Sequence, residues 1–128
     1  MARPLRILNE TRGVTLAEAA TLTETMWERM RGLLGTSELA PGSGLVLDPC
    51  NSIHTFFMAY AIDVLFLDGD GRVVRVLERL APWRLTRIYF QARSVVELPA
   101  GSLAGTGTVQ GDLILRQPPP EQLQDGSG

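Results

Sequence analysis

The chain contains no lysine, and all twelve of its basic residues are arginines. Arginine forks suit carboxylate and phosphate ligands. A GC-rich coding bias produces the same pattern together with abundant Ala, Gly, Leu and Val, and that reading is favoured. Cysteine is almost absent. Cys50 stands alone, so no internal disulfide can form, and a reducing compartment is expected. Histidine also occurs once, at His54. One histidine and one cysteine fall short of the ligand set a zinc site takes, so neither a metal nor another cofactor is expected. No apolar run approaches the length of a bilayer span, and the opening MARPLRILNETRG lacks the apolar stretch of a signal peptide. The expected location is therefore cytoplasmic. A net charge of −2 gives no push toward nucleic acid or an anionic membrane, and neither is expected as a partner.

What is present suits one globular domain. At 128 residues and 45% hydrophobic composition, the chain can bury a core without disulfides or metals. That domain is expected over residues 1–116. The proline-led tail 117–128 (QPPPEQLQDGSG) cannot bury enough apolar surface to order itself, and is expected to be flexible.

Short apolar stretches punctuated by Gly, Pro and Asp predict strands at 5–9, 14–20, 45–48, 53–58, 62–68, 72–80, 94–98 and 112–116. Asp68-Gly69-Asp70-Gly71 reads as a hairpin turn. Residues 81–93 are ambiguous, because Pro82 argues for a loop while RIYF suits a short strand. One helix is expected over 24–34, where Met26, Met30, Leu33 and Leu34 form an apolar face and Gly35 follows as a stop. There are no alternating βαβ units. The expected fold is mainly β (a β-rich α+β class), a compact antiparallel barrel or sandwich with one helix from the N-terminal half packed on it.

The candidate functional residues are polar groups set among apolar ones. His54 alternates with Phe56 and Met58 on one strand face. A hydrogen-bonded structural histidine is the usual outcome there, and a ligand or proton-transfer role is the sharper one. Cys50 and His54 have the residue types of a nucleophile–base pair, but nothing near them in sequence supplies an orienting partner. Asp63 opens the apolar strand IDVLFLD. With Asp70-Gly71 at the hairpin centre, Leu67 faces Val74, Leu65 faces Val76 and Asp63 faces Glu78. Such a pair is unfavourable unless a proton, a cation or an arginine such as Arg31, Arg75 or Arg79 intervenes. With Gly69-Asp70 at the centre the pair disappears. The favoured reading of Asp63 is an arginine-satisfied structural carboxylate. Glu97 and Asp112 read as strand-end hydrogen-bonders before they read as catalytic acids. Asp68–Gly71 lacks the later ligands of a calcium loop. Trp83 and Arg84 either line a groove or belong to a shielding loop, with the second favoured. The glycine-rich 101–111 stretch does not lead from a strand into a helix and is not a phosphate loop.

Four motifs in order carry a family resemblance: RMRGLLG at 29–35, IHTFFMAYAIDVLFLDGDGRVV at 53–74, VVELPAG at 95–101 and Gly111-Asp112. In these the chain resembles an uncharacterised bacterial and archaeal family, number 192 among the domains of unknown function, over about residues 14–116. The resemblance implies a small β-rich fold and makes Ile53–Asp68 its hallmark segment; it implies no activity. Many members carry Trp or Gly where this chain has Phe57, and Pro where it has Ala61, which loosens the bend between the two hallmark strands.

The function expected from the sequence is a non-catalytic binding or accessory domain. Its groove would draw on His54, Met58, Asp63, Arg31, Glu78, Glu97 and Asp112. Sparse polar groups on apolar strands are the usual make-up of a ligand pocket, and the occupant is left open between a small ligand and a protein. The alternative is an acid–base or hydrolytic enzyme pairing His54 with Asp63, which requires the two side chains to converge. A monomer or weak homodimer is expected.

Overall fold

The computed structural model describes residues 3–23 and 39–118. The strands are β1 (Arg3–Asn9), β2 (Val14–Thr23), β3 (Ser43–Leu47), β4 (Ile62–Leu67), β5 (Val73–Leu80), β6 (Ser94–Pro99) and β7 (Ile114–Gln117). They form one seven-stranded sheet in the order β5-β4-β6-β3-β2-β1-β7. Among the described residues, β2 and β3 pair in parallel and the other strand pairs are antiparallel.

The sheet curls until its two edges meet at one end. Arg72 bridges Leu113, Val73 donates to the Asp112 carbonyl at 2.9 Å, and Ile114 donates to the Gly71 carbonyl at 2.9 Å. Gly71 is required there, because a Cβ would sit 2.8 Å from the Ile114 carbonyl oxygen and φ is +88°. The result is a half-barrel, closed at this seam, which protects part of two edges that would otherwise be exposed.

Alternation along β4 builds two cores. Leu65 and Leu67 join Ile7, Val46, Val96 and Leu98 on the concave side. Ile62, Val64 and Phe66 face the other way, beneath Ile53 and Met58 from the loop that precedes β4. Each strand through the middle of the sheet is therefore apolar on both faces.

One expectation changes. The segment 53–58 is not a strand of the sheet. It runs as a loop against residues 83–89, with one isolated bridge between His54 and Leu85. Met58 is buried and packs in the outer core cluster. The predicted helix 24–34, with Arg31, lies outside the described residues, as does most of the tail. No helix among the described residues is long and apolar enough to cross a membrane.

Candidate functional site

Among the described residues, Asp63 and Asp112 are held in separate places by separate partners. Asp63 is wholly buried, and its carboxylate accepts three backbone N–H groups, from Arg79 at 2.9 Å, Gly101 at 3.1 Å and Leu103 at 2.9 Å. The partner is thus the backbone, not an arginine side chain. Bulges create this arrangement. Leu65 does face Val76, but Leu67 pairs with Val73 instead of Val74, because the Gly71 N–H donates to the Asp68 carbonyl and centres the turn on Gly69-Asp70; farther along, Ile62 pairs with Leu80 and Val64 with Leu77. Glu78 and Arg79 together occupy the stretch opposite Asp63, and Arg79 takes a left-handed φ of 54°. Glu78 itself is exposed on the edge strand. No acid pair forms.

Asp112 is a second buried carboxylate. It accepts from Arg12 Nε at 2.9 Å, Asn9 Nδ2 at 3.0 Å and the Val109 N–H at 3.1 Å. The Arg12 hydrogen bond, helped by Asn9 and Val109, holds its pKa at about 2 against the opposing effect of burial. The bonds tie the β1–β2 turn to the start of β7. Glu97 is buried between Leu45 and Val64 on its neighbouring strands, in the layer that contains Val95. Among the described residues no group of three or more His, Cys, Asp or Glu side chains could hold a metal ion.

His54 lies on the opposite side of the sheet layer from Asp63. Ile53 beside it enters the outer core, while His54 is half-buried and its ring stacks on Phe56 at 4.8 Å. Its Nδ1 accepts the Phe56 N–H at 3.3 Å. Cys50 is engaged elsewhere, with Sγ against the Ser52 carbonyl at 3.1 Å. The donors to the Asp63 carboxylate are the three backbone N–H groups above, and His54 is not among them.

What His54 does join is an aromatic cluster at the tips of two loops. Thr55 knots the loops together: its hydroxyl donates to the Ala81 carbonyl at 2.7 Å and accepts the Arg84 N–H at 2.9 Å. Thr55 also exchanges backbone bonds with Arg84 and Trp83, and Thr86 donates to Ile53. This pairing pushes the side chains beyond Thr55 into solvent. Phe56 stacks on Trp83 at 6.1 Å, and Phe57 meets Trp83 edge-on at 4.9 Å. Phe57 is 61% exposed, Trp83 58%, Leu85 68% and Phe90 87%. Phe57 and Trp83 also hold left-handed backbone, with φ of 69° and 61°, a conformation that costs an aromatic residue about 1–2 kcal/mol.

Of the cluster, sequence reasoning singles out His54, Trp83 and Arg84 as candidates, and it reads Trp83 and Arg84 as a shielding loop before a groove. The readable signal is local. APWRLTRIYF concentrates aromatics and arginines with no acid among them. Exposure is a tertiary property, so an apolar run of this kind reads as core until the loops are placed.

A small half-barrel with two buried carboxylate locks and a protruding aromatic loop pair is the class of protein these features define. The chain belongs to the family described as Uncharacterized ACR, domain of unknown function 192, whose model matches residues 7–115. Relatives are named UPF0127 proteins. One from Thermococcus gammatolerans is 37% identical over 112 residues, which is 84% of this chain and 72% of the relative. One from Thermococcus kodakarensis is 33% identical over 120 residues, covering 91% and 76%. Two crystal structures share the fold. A Sinorhizobium meliloti 1021 protein, described provisionally as a transcription regulator, superposes with a TM-score of 0.73 at 21% identity, covering 91% of this chain and 94% of that one. A Novosphingobium aromaticivorans protein of unknown function gives 0.72 at 19% identity, covering 89% and 84%. At such identities the likeness concerns the fold alone. The family has no established function.

Proposed function

We propose that the chain is a non-catalytic binding module whose contact surface is the loop pair 53–58 and 81–90, with His54 at its margin. One observation carries the reading. Phe57 and Trp83 are bulky, exposed and held in left-handed backbone at the same time. Left-handed backbone without glycine raises the energy of the free protein, and solvent exposure returns no burial in exchange. Side chains kept under those terms are accounted for by a contact made with something else.

The buried carboxylates support the same reading from the other side. Asp63 and Asp112 spend their lone pairs on the protein's own donors, so the reading assigns them to architecture. Glu78, Glu97 and Met58 carry no role in it.

The test is photo-crosslinking in cells, with benzoylphenylalanine at Phe90 in one variant and at Glu18, an exposed position on β2, in another. The expected result is adducts with other molecules at Phe90 and not at Glu18. Equal or absent adducts at the two positions would refute a contact surface here, whatever the chemistry of the partner.

A further inference from the structure

The charge of the chain is segregated in a way its total conceals. Residues 72–93 contain six arginines and one acid, Glu78, for a local balance of +5; the overall −2 therefore leaves −7 for the rest. The arginines of this segment are exposed, and two of them, Arg84 and Arg87, alternate with the exposed Trp83, Leu85, Ile88 and Phe90. Ion pairs among the described residues involve Arg6, Arg12, Arg93 and Arg116, and neither Arg84 nor Arg87. Arg87 instead lies over the Tyr89 ring at 5.7 Å, and Arg84 turns to the carbonyls of Pro82 and Trp83.

From this interleaving we infer that the loop pair docks reversibly on an anionic lipid surface. Phe57, Trp83, Leu85 and Phe90 would enter the headgroup region while Arg84 and Arg87 meet lipid phosphates. The inference rests on the preceding reading that the loop pair is a contact surface. Three features favour a lipid surface over other anionic partners. The apolar side chains protrude from loop tips instead of lining a recess, and the adjoining hollow of about 250 Å³, between Val74 and Phe90, is itself open and partly basic. A protein partner would find few pockets for its own anchors. Nucleic acid would need a series of free ring faces for base stacking; Phe90 offers one, but Phe56 has His54 and Trp83 against it, Phe57 meets Trp83 edge-on, and Tyr89 packs on Phe66. Leu85 and Ile88 offer no ring at all. A bilayer interface accepts Trp, Phe and Leu without shape matching, and its anionic lipids attract the interleaved arginines.

The experiment uses the full chain and large unilamellar vesicles. One set is phosphatidylcholine with phosphatidylglycerol in a two-to-one ratio; the other is phosphatidylcholine alone. Co-sedimentation is expected with the mixed vesicles, roughly ten-fold weaker with the neutral ones, and weakened by salt. Arg84→Glu with Arg87→Glu should lower partitioning about ten-fold, and Leu85→Ser with Phe90→Ser by a similar factor. These positions are exposed, so the variants should melt with the parent. As a second measurement, brominated lipid should quench tryptophan fluorescence in the parent and not in Trp83→Phe, where Trp27 alone remains. The inference is overturned by equal binding to both vesicle types, by no binding, or by quenching that persists in Trp83→Phe. It is overturned equally by binding to a single-stranded oligonucleotide without vesicle binding, or by self-association that Phe90→Ser abolishes. Protein adducts in the crosslinking experiment, with no vesicle binding, would remove the lipid inference and leave the binding reading standing.

Discussion

The hallmark segment Ile53–Asp68 contains two regions that treat their polar and apolar groups in opposite ways. At its C-terminal end, Asp63 is fully buried with three N–H donors on its carboxylate. At its N-terminal end, Phe57 is 61% exposed in left-handed backbone. One end gives a charged group to the interior and satisfies it; the other gives an aromatic group to solvent and strains it. The difference teaches that a family hallmark need not be one site. Here a lock and a contact surface sit within a few residues of each other, separated by the bend at 59–61.

The lock is the larger energetic feature. Asp63→Ala should destabilise the fold by about 4 kcal/mol, because it strands three buried N–H groups at once. Urea unfolding measures it, and a loss of under about 1 kcal/mol would break the distinction drawn here. Thr55 belongs to the contact region by position but to the lock by chemistry, since its buried hydroxyl both donates to Ala81 and accepts from Arg84. Thr55→Val should cost about 2 kcal/mol and speed hydrogen exchange at the Arg84 amide. If exchange there is unchanged, the two loops are held together by something other than this hydroxyl.

Much of this arrangement was legible in the sequence. The family motifs and the alternating strands led to a β-rich fold, and the Asp-Gly repeat located the hairpin, although its turn centres on Gly69-Asp70 and a bulge restores the pairing of Leu65 with Val76. What defeated the rest was irregular backbone. A bulge at Glu78 and Arg79 dissolved the proposed Asp63–Glu78 pair and turned an amide toward Asp63 instead. Glycine 101, with φ of +92°, supplies the second amide from a turn distant in sequence. The stretch 53–58 has the alternation of a strand, yet the Thr55 bonds and the left-handed Phe57 make it a loop. Periodicity reports which residues alternate; it does not report a hydroxyl that captures a neighbouring chain. The aromatic surface was harder still, because the net charge of −2 averaged away the basic segment that frames it.

The second lock offers a gentler probe through pH. The pKa of Asp112 falls from 3.8 to about 2 on folding. A carboxyl depressed in the folded state stabilises it above the unfolded pKa, and that contribution is lost as pH falls through the folded value. Acid unfolding should therefore draw on Asp112 between about pH 4 and pH 2, and Asp112→Asn should flatten the stability profile in that window. A profile unchanged by the substitution would mean that Arg12 and Asn9 do not grip the carboxylate in solution.

The smallest expected effect is also the most discriminating, because its sign is opposite to the others. Phe57→Gly removes a large apolar side chain, a change that normally destabilises a protein. Here the side chain is mostly in water and the backbone is already where glycine is comfortable. The cost of glycine's extra freedom in the unfolded chain, about 0.5–1 kcal/mol, opposes the relief of left-handed strain, about 1–2 kcal/mol. The edge contact with Trp83 is lost as well, but at an exposed site it offsets only part of that relief. The net change should lie between zero and about 1 kcal/mol of stabilisation, read as an unchanged or slightly raised melting temperature. A variant that melts well below the parent would show Phe57 packing into the fold like Asp63 and Thr55, and the division of the hallmark into lock and contact surface would collapse. A variant that keeps its stability and loses vesicle binding would separate the two halves within a single substitution.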